Sequence, residues 1–207
     1  MSEEHDVDSV LRESEAFFGG RGAVHRTLRS LGARLDAEGI PYAILGGMAL
    51  NIHGFVRETV DVDVLLTRES LERFRERLVG RGYVPAFAGA LKSFKDVETG
   101  VRIDVIAAGD FPGDGKPKDV VFPAPASVAV EMGGLRVVPL ETLLELKIAS
   151  GLSAEHRRLV DLADVQRTIE ALKLPKELAE KLHPSVRAEY GRLWALAQRV
   201  GEGPVER

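Results

Sequence analysis

Arg57-Glu58-Thr59-Val60-Asp61-Val62-Asp63-Val64-Leu65-Leu66 alternates polar and apolar residues before it runs into an aliphatic end. Side chains two apart in a strand share a face, so the stretch predicts a strand with Arg57, Thr59, Asp61 and Asp63 on one side and Val60, Val62 and Val64 on the other. The polar side then carries two carboxylates roughly 7 Å apart, which repel each other unless a cation lies between them. Hard oxygen ligands on a rigid element suit Mg²⁺ or Mn²⁺. On its own an Asp-x-Asp is more often the solvated face of an edge strand. What surrounds this one argues for a site.

Upstream, Ile40 to Leu45 is an apolar run with Pro41 near its start, and it reads as a short buried strand ending at Gly46-Gly47. Met48 to His53 is a brief helical turn before Gly54, and Val24, Leu28, Leu31 and Leu35 recur at helical spacing with Gly39 as the stop. Downstream, Thr67 is placed to cap a helix whose inward stripe is Leu71, Phe74 and Leu78, ended by Gly80 and Gly82. Ser93 to Asp96 and Val101 to Ala107 flank Glu98-Thr99-Gly100 as a hairpin, and its second arm carries a third carboxylate, Asp104. Residues 109–118 form a Gly-, Pro- and Asp-rich loop, and Ser127 to Glu131 pairs with Leu135 to Val138 as a second hairpin.

From Pro139 the pattern is helical: Leu140 to Ser150, Ser153 to Leu172, Lys176 to Leu182 and Ser185 to Val200, then a polar tail from Gly201 to Arg207. The expected fold class is therefore α/β (α+β). A small mixed sheet with flanking helices spans residues 1–138, and a C-terminal helical region, 139–207, packs on it.

Composition narrows the function. The 207 residues are 44% hydrophobic and 29% charged, ordinary values for a globular chain. A formal charge of −4 and a pI near 5.8 disfavour a protein that holds nucleic acid mainly through a basic surface. Without cysteine there are no disulfides, thiolate metal sites or cysteine nucleophiles. No apolar stretch approaches the roughly 20 residues that span a bilayer, and the acidic start, Met1 to Asp8, is unlike a signal peptide. Cytoplasmic residence without a membrane partner is the expectation.

A Gly-Gly turn between a strand and a short helix, an Asp-x-Asp strand and a lone acid in a later strand share one explanation. Glycines at such a turn let backbone N–H groups approach an anion, and a helix N-terminus adds partial positive charge. Three carboxylates on adjacent strands can hold two divalent ions. Chemistry at a phosphoryl group depends mostly on such positioning and charge neutralisation.

From Gly46-Gly47-Met48-Ala49-Leu50-Asn51-Ile52-His53-Gly54 through Arg57-x-Thr59 to Asp61-x-Asp63, the sequence resembles the signature of the polymerase-β-type nucleotidyltransferase superfamily. His53-Gly54 and Arg57-x-Thr59 make it most similar to the branch containing AbiEii-type toxins. Pro139-Leu140-Glu141-x-Leu143-Leu144-x-Leu146-Lys147, and then Arg158-Leu159-Val160-Asp161-Leu162-Ala163-Asp164, are similar to that branch's Lys-bearing helix and the helix after it. The resemblance implies that Gly46 and Gly47 line a triphosphate, that Asp61, Asp63 and Asp104 bind Mg²⁺ or Mn²⁺, and that Lys147 neutralises phosphate charge. Either Asp161 or Asp164 would orient Lys147 or act near the acceptor; Arg57 and Thr59 would support the site.

The implied reaction moves a nucleoside monophosphate from a nucleoside triphosphate to a hydroxyl on RNA, protein or a small molecule. The toxin branch adds an antitoxin partner. A kinase-like phosphotransferase and a non-catalytic nucleotide-binding module are the alternatives on the same fold. Gly47 departs from many relatives, which have Ser there, so any phosphate contact at that position must be made by backbone. His53 has no second histidine at ligand spacing and reads as a packed residue, as does Trp194.

Overall fold

Val24, Leu28, Leu31 and Leu35 make the buried stripe of helix α1 (Ala23–Ala37), which delivers the chain through Gly39 in a left-handed conformation to the first strand. The structure is a computed structural model and describes residues 22–199; the acidic start and the polar tail from Gly201 lie outside them. In chain order the next elements are β1 (Tyr42–Leu45), α2 (Gly46–Ile52), β2 (Asp61–Leu66), α3 (Arg68–Leu78), β3 (Tyr83–Pro85), β4 (Ser93–Asp96) and β5 (Arg102–Ala107). They continue with α4 (Pro125–Val128), β6 (Val130–Met132), β7 (Leu135–Val137), α5 (Leu140–Ser153) and α6 (Glu155–Leu172). A 3₁₀ helix (Lys176–Lys181) and α7 (Pro184–Arg199) complete the described chain. No described helix is long and apolar enough to cross a membrane.

The described strands form one seven-stranded mixed sheet in the order β3-β4-β5-β2-β1-β7-β6. β2 is therefore interior: antiparallel to β1 and parallel to β5. Its Val62, Val64, Leu65 and Leu66 are fully buried, which accounts for the aliphatic end of the motif. Thr67 caps α3 by accepting from the Ser70 amide, and Phe74 of that helix meets Tyr83 and Phe94 at ring-centroid distances of 5.5 and 4.9 Å.

The expected strand beginning at Arg57 is shorter. β1 ends at Leu45, opposite Asp63, and β5 begins at Arg102, opposite Asp61, so nothing before Asp61 has a ladder neighbour. Residues 53–60 cross as a loop, and Val60, expected on the buried side, is 77% exposed. The second hairpin is also shorter than expected. Pro125 opens the four-residue α4, in which Ser127 Oγ donates to the Ala124 carbonyl, and only Val130–Met132 pairs with Leu135–Val137. β3 gave no period-2 signal, since its three residues belong to the sheet only through pairing with β4. The glycine pair opens α2 instead of preceding it.

Two hydrophobic clusters lie side by side. One fills the space between the sheet, α1, α2 and α3; the other is built by α5, α6 and α7 around Leu144, Ile148, Val165, Ile169 and Tyr190. α5 serves both, with Leu143 in the first and Leu144, Leu146 and Ile148 in the second, and Phe122 packs against each. A helix apolar on nearly every side is explained by this double contact. It also fixes where the one lysine of that helix, Lys147, must point.

Candidate active site

The parallel register of β2 and β5 sets Asp61 opposite Arg102 and Asp63 opposite Asp104, so three carboxylates and a guanidinium share one face. Asp61 is held by Thr59, whose Oγ1 donates to Oδ1 at 3.0 Å, and by Arg102, whose Nη2 donates to Oδ2 at 3.0 Å. Asp104 accepts from Ser93 Oγ at 2.7 Å and pairs through Oδ2 with Arg102 Nε at 3.0 Å. Burial, followed by the charges of Asp61 and Asp104, pushes the Asp63 carboxyl up to about 7, against smaller opposing effects of Lys147 and Arg157.

Among the described residues no group of three or more His, Asp or Glu side chains stands in a ready metal-holding arrangement. The side chain of Arg102 lies between two of the three acids. The donor set nevertheless fits a hard divalent ion: it is all oxygen, three carboxylates share one sheet face, and burial and like charge leave the central one short of compensating cation.

The glycines have a steric role in this face. Gly46 has φ +66°, and a Cβ there would run into the Asp63 carboxylate, so only glycine lets the turn and the acid approach so closely. A Cβ on Gly47 would lie 2.9 Å from Thr59 Oγ1 and 3.2 Å from Arg57 Nη2. The space a side chain would need at Gly47 is filled by Thr59 and Arg57. Leu45, the N-cap residue of α2, makes no side-chain cap hydrogen bond.

Facing these acids, α5 and α6 supply a buried ionic network. Lys147, 8% exposed, donates to Asp161 Oδ1 at 3.1 Å and Asp164 Oδ2 at 2.8 Å. Both acids therefore hold the lysine. Asp161 also accepts from Ser150 Oγ at 2.6 Å and pairs with Arg157 at 3.3 Å, while Arg57 reaches Asp164 at 3.2 Å. Burial pushes the Asp161 carboxyl up, but Lys147, Ser150 and Arg157 together outweigh it and hold the group below its ordinary range. Four-residue spacing on a helix would make Arg157 and Asp161 an ordinary surface ion pair, but Asp161 is buried and the pair belongs to the network. Lys147, expected as a cation aimed at phosphate, is neutralised within the protein; Lys147 and Arg157 balance Asp161 and Asp164 on the two helices, and Arg57, reaching over from the loop before β2, adds a third cation to the network.

Between the two walls lies a cleft of about 110 Å³ lined by Gly46, Asp63, Lys147, Ser150, Arg157 and Asp161, with Ile106, Pro112 and Phe122 among its apolar sides. That is smaller than the roughly 300 Å³ or more of a pocket that swallows a whole ligand. Its size suits a phosphate-sized group, with the remainder of any nucleotide outside. A larger cavity of about 360 Å³, bordered by His25, Met48, Asn51 and Met132, contains none of the acids. Gly47 lies behind Gly46 and away from the cleft lining, beneath Thr59 and Arg57. His53 hydrogen-bonds the Val138 carbonyl at 2.8 Å, and Trp194 Nε1 donates to Leu174 at 3.0 Å; both are structural.

Sequence reasoning passed over Arg102, Ser93, Ser150 and Arg157 as members of the site. Arg102 stands two residues before Asp104 and shares its face, a signal present in the alternation itself. Ser150 stands three after Lys147, one helical turn on. Ser93 becomes a partner only through the β4–β5 register, which pairs it with Asp104.

No family model matches the chain, and no curated protein matches it. Solved structures similar to it include nucleotidyltransferases. The antibiotic-resistance factor ANT(2'')-Ia matches at 18% identity and a TM-score of 0.48, over 83% of this chain and 93% of its own. A candidate nucleotidyltransferase from Thermotoga maritima matches at 19% identity and 0.44, over 67% and 91%. Another from H. pylori matches at 15% and 0.46, over 88% and 96%. These are partial likenesses of shape, and the chemistry below rests on the geometry of this chain.

Proposed function

We propose that this protein is a metal-dependent nucleotidyltransferase, moving a nucleoside monophosphate from a nucleoside triphosphate to an acceptor hydroxyl. The observation that carries the reading is the placement of Asp61, Asp63 and Asp104 on one sheet face beside Gly46, with Asp63 lining a phosphate-sized cleft whose other wall carries Lys147 and Arg157.

Asp61, Asp63 and Asp104 are the residues that would hold Mg²⁺ or Mn²⁺, which when bound supplies neutralisation of charge at the reacting phosphate. The backbone at Gly46 and the start of α2 borders the triphosphate. Arg57 and Arg157 supply the positive charge that Lys147, spent on Asp161 and Asp164, does not. Lys147 fixes Asp161 and Asp164, which in turn orient the two arginines. Asp104, released from Arg102, would take the acceptor proton. The acceptor belongs to one of three classes, RNA, protein or small molecule, and the resembled toxin branch adds an antitoxin as partner.

The test is incubation of purified protein with α- and γ-labelled nucleotides and Mg²⁺ or Mn²⁺, with RNA, protein and small-molecule extracts separated afterwards. Label from the α position in the acceptor, lost by about 10²-fold or more in D61N and D63N, supports the reading. Transfer of only the γ label replaces it with phosphoryl transfer, and no transfer with nucleotide still bound replaces it with a binding module.

A further inference from the structure

The four carboxylate oxygens of Asp61 and Asp104 are all engaged by the protein itself. Thr59 and Ser93 take Asp61 Oδ1 and Asp104 Oδ1, and the single guanidinium of Arg102 takes Asp61 Oδ2 and Asp104 Oδ2, both at 3.0 Å. Arg102 is placed there by register, as the residue directly opposite Asp61 and two before Asp104. Its side chain is 55% exposed, so it can leave the acids for water without disturbing the core. The row continues outward to Lys95 on β4, whose Cα is paired with that of Arg102.

From this geometry we infer that Arg102 is an intramolecular counter-cation that competes with the divalent ion for Asp61 and Asp104. The inference rests on the metal-binding reading of those two acids. A divalent ion needs oxygen lone pairs at about 2.0–2.6 Å, and on two of the oxygens that would serve it one lone pair is already taken by the same guanidinium, whose charge also repels the ion. Binding of the ion at those oxygens therefore works against the Arg102 contacts and is favoured when Arg102 swings outward. In the absence of the ion, the same contacts neutralise part of the charge that three carboxylates place on this face. The consequence is a site with low affinity for free divalent cation. Arg102 here is a positioning residue that sets metal affinity.

The test counts bound Mn²⁺ by electron paramagnetic resonance, without nucleotide, on the full chain and on R102Q, R102K and D61N/D63N. The expected result is an Mn²⁺ dissociation constant about three- to thirty-fold lower in R102Q, with R102K between R102Q and the unaltered protein and D61N/D63N without specific binding. Unchanged or weaker Mn²⁺ binding in R102Q overturns the role of Arg102 alone, leaving the metal site standing. Mn²⁺ binding by neither the unaltered protein nor R102Q overturns both. ATP affinity measured without metal is the second readout: a fall in R102Q with Mn²⁺ affinity unchanged identifies Arg102 as a phosphate contact and overturns the competition.

Discussion

Asp63 shows how one side chain acquires its character from three directions at once. Burial and the neighbouring Asp61 and Asp104 charges raise it to about 7 from 3.8. A carboxyl raised in the folded state contributes stability that is fully present below its unfolded value and lost as pH rises through its folded one. The metal-free protein should therefore lose stability between about pH 4 and 7. In D63N that slope should vanish, and at pH 8 the variant should be the more stable by between about 1 and 3 kcal/mol. Urea titrations in EDTA measure this, and a slope that survives in D63N would show that another group carries it. Gly46→Ala tests the same contact from the other side. A side chain at φ +66° costs about 1–3 kcal/mol, and the added methyl meets the Asp63 carboxylate. Lowered stability together with weakened Mn²⁺ binding is expected, against lowered stability alone if Asp63 is not a ligand.

At the scale of elements, α5 and α6 are joined by a buried lysine shared between two acids. Removing one partner from a buried pair leaves uncompensated charge, so Lys147→Met should cost about 3–5 kcal/mol, read from denaturant titration. Adding D161N and D164N to that variant should return most of the stability. It should not return transfer, because the arginines lose the carboxylates that orient them. Recovery of both would make the network purely structural. Asp161 gives the opposite pH sign to Asp63. Held below its ordinary value, it contributes stability that is present above the unfolded carboxylate value and drains away as pH falls through its own lowered one. The K147M/D161N/D164N triple variant should accordingly resist acid better than the unaltered protein, relative to its own stability at neutral pH.

Across the whole molecule, the sheet and the helical region each supply one wall of the cleft, and Arg57 connects them. Its backbone amide donates to Asn51 at 2.8 Å, its guanidinium lies over Gly47, and its tip pairs with Asp164. The pair is partly exposed, so Arg57→Ala should cost only about 1 kcal/mol of stability. Transfer should fall much further than that figure suggests, with faster amide exchange in α6 near Asp164. An exchange pattern confined to residues 53–60 would limit Arg57 to ordering its own loop.

The pattern of residues decided the elements whose signal is local. Helical spacing from Val24 to Leu35, the Thr67 cap, the turn at Glu98-Thr99-Gly100 and the alternation through Asp61 and Asp104 each depend on chain neighbours, and each corresponds to an observed element. The three acids and Lys147 were also legible, because an acid two residues from another on a strand or a lysine within an aliphatic helix is unusual locally. Tertiary structure decided everything that depends on which segments lie opposite one another. It ended β2 at Asp61 by withdrawing both neighbouring strands, and it assigned Thr59 and Arg57 to the space above Gly47. It gave both Asp161 and Asp164 to Lys147, and it set Arg102 across from Asp61. The acids and the lysine of the candidate site are thus marked by local pattern; their partners and charge balance come from register and packing over distances that no local pattern records.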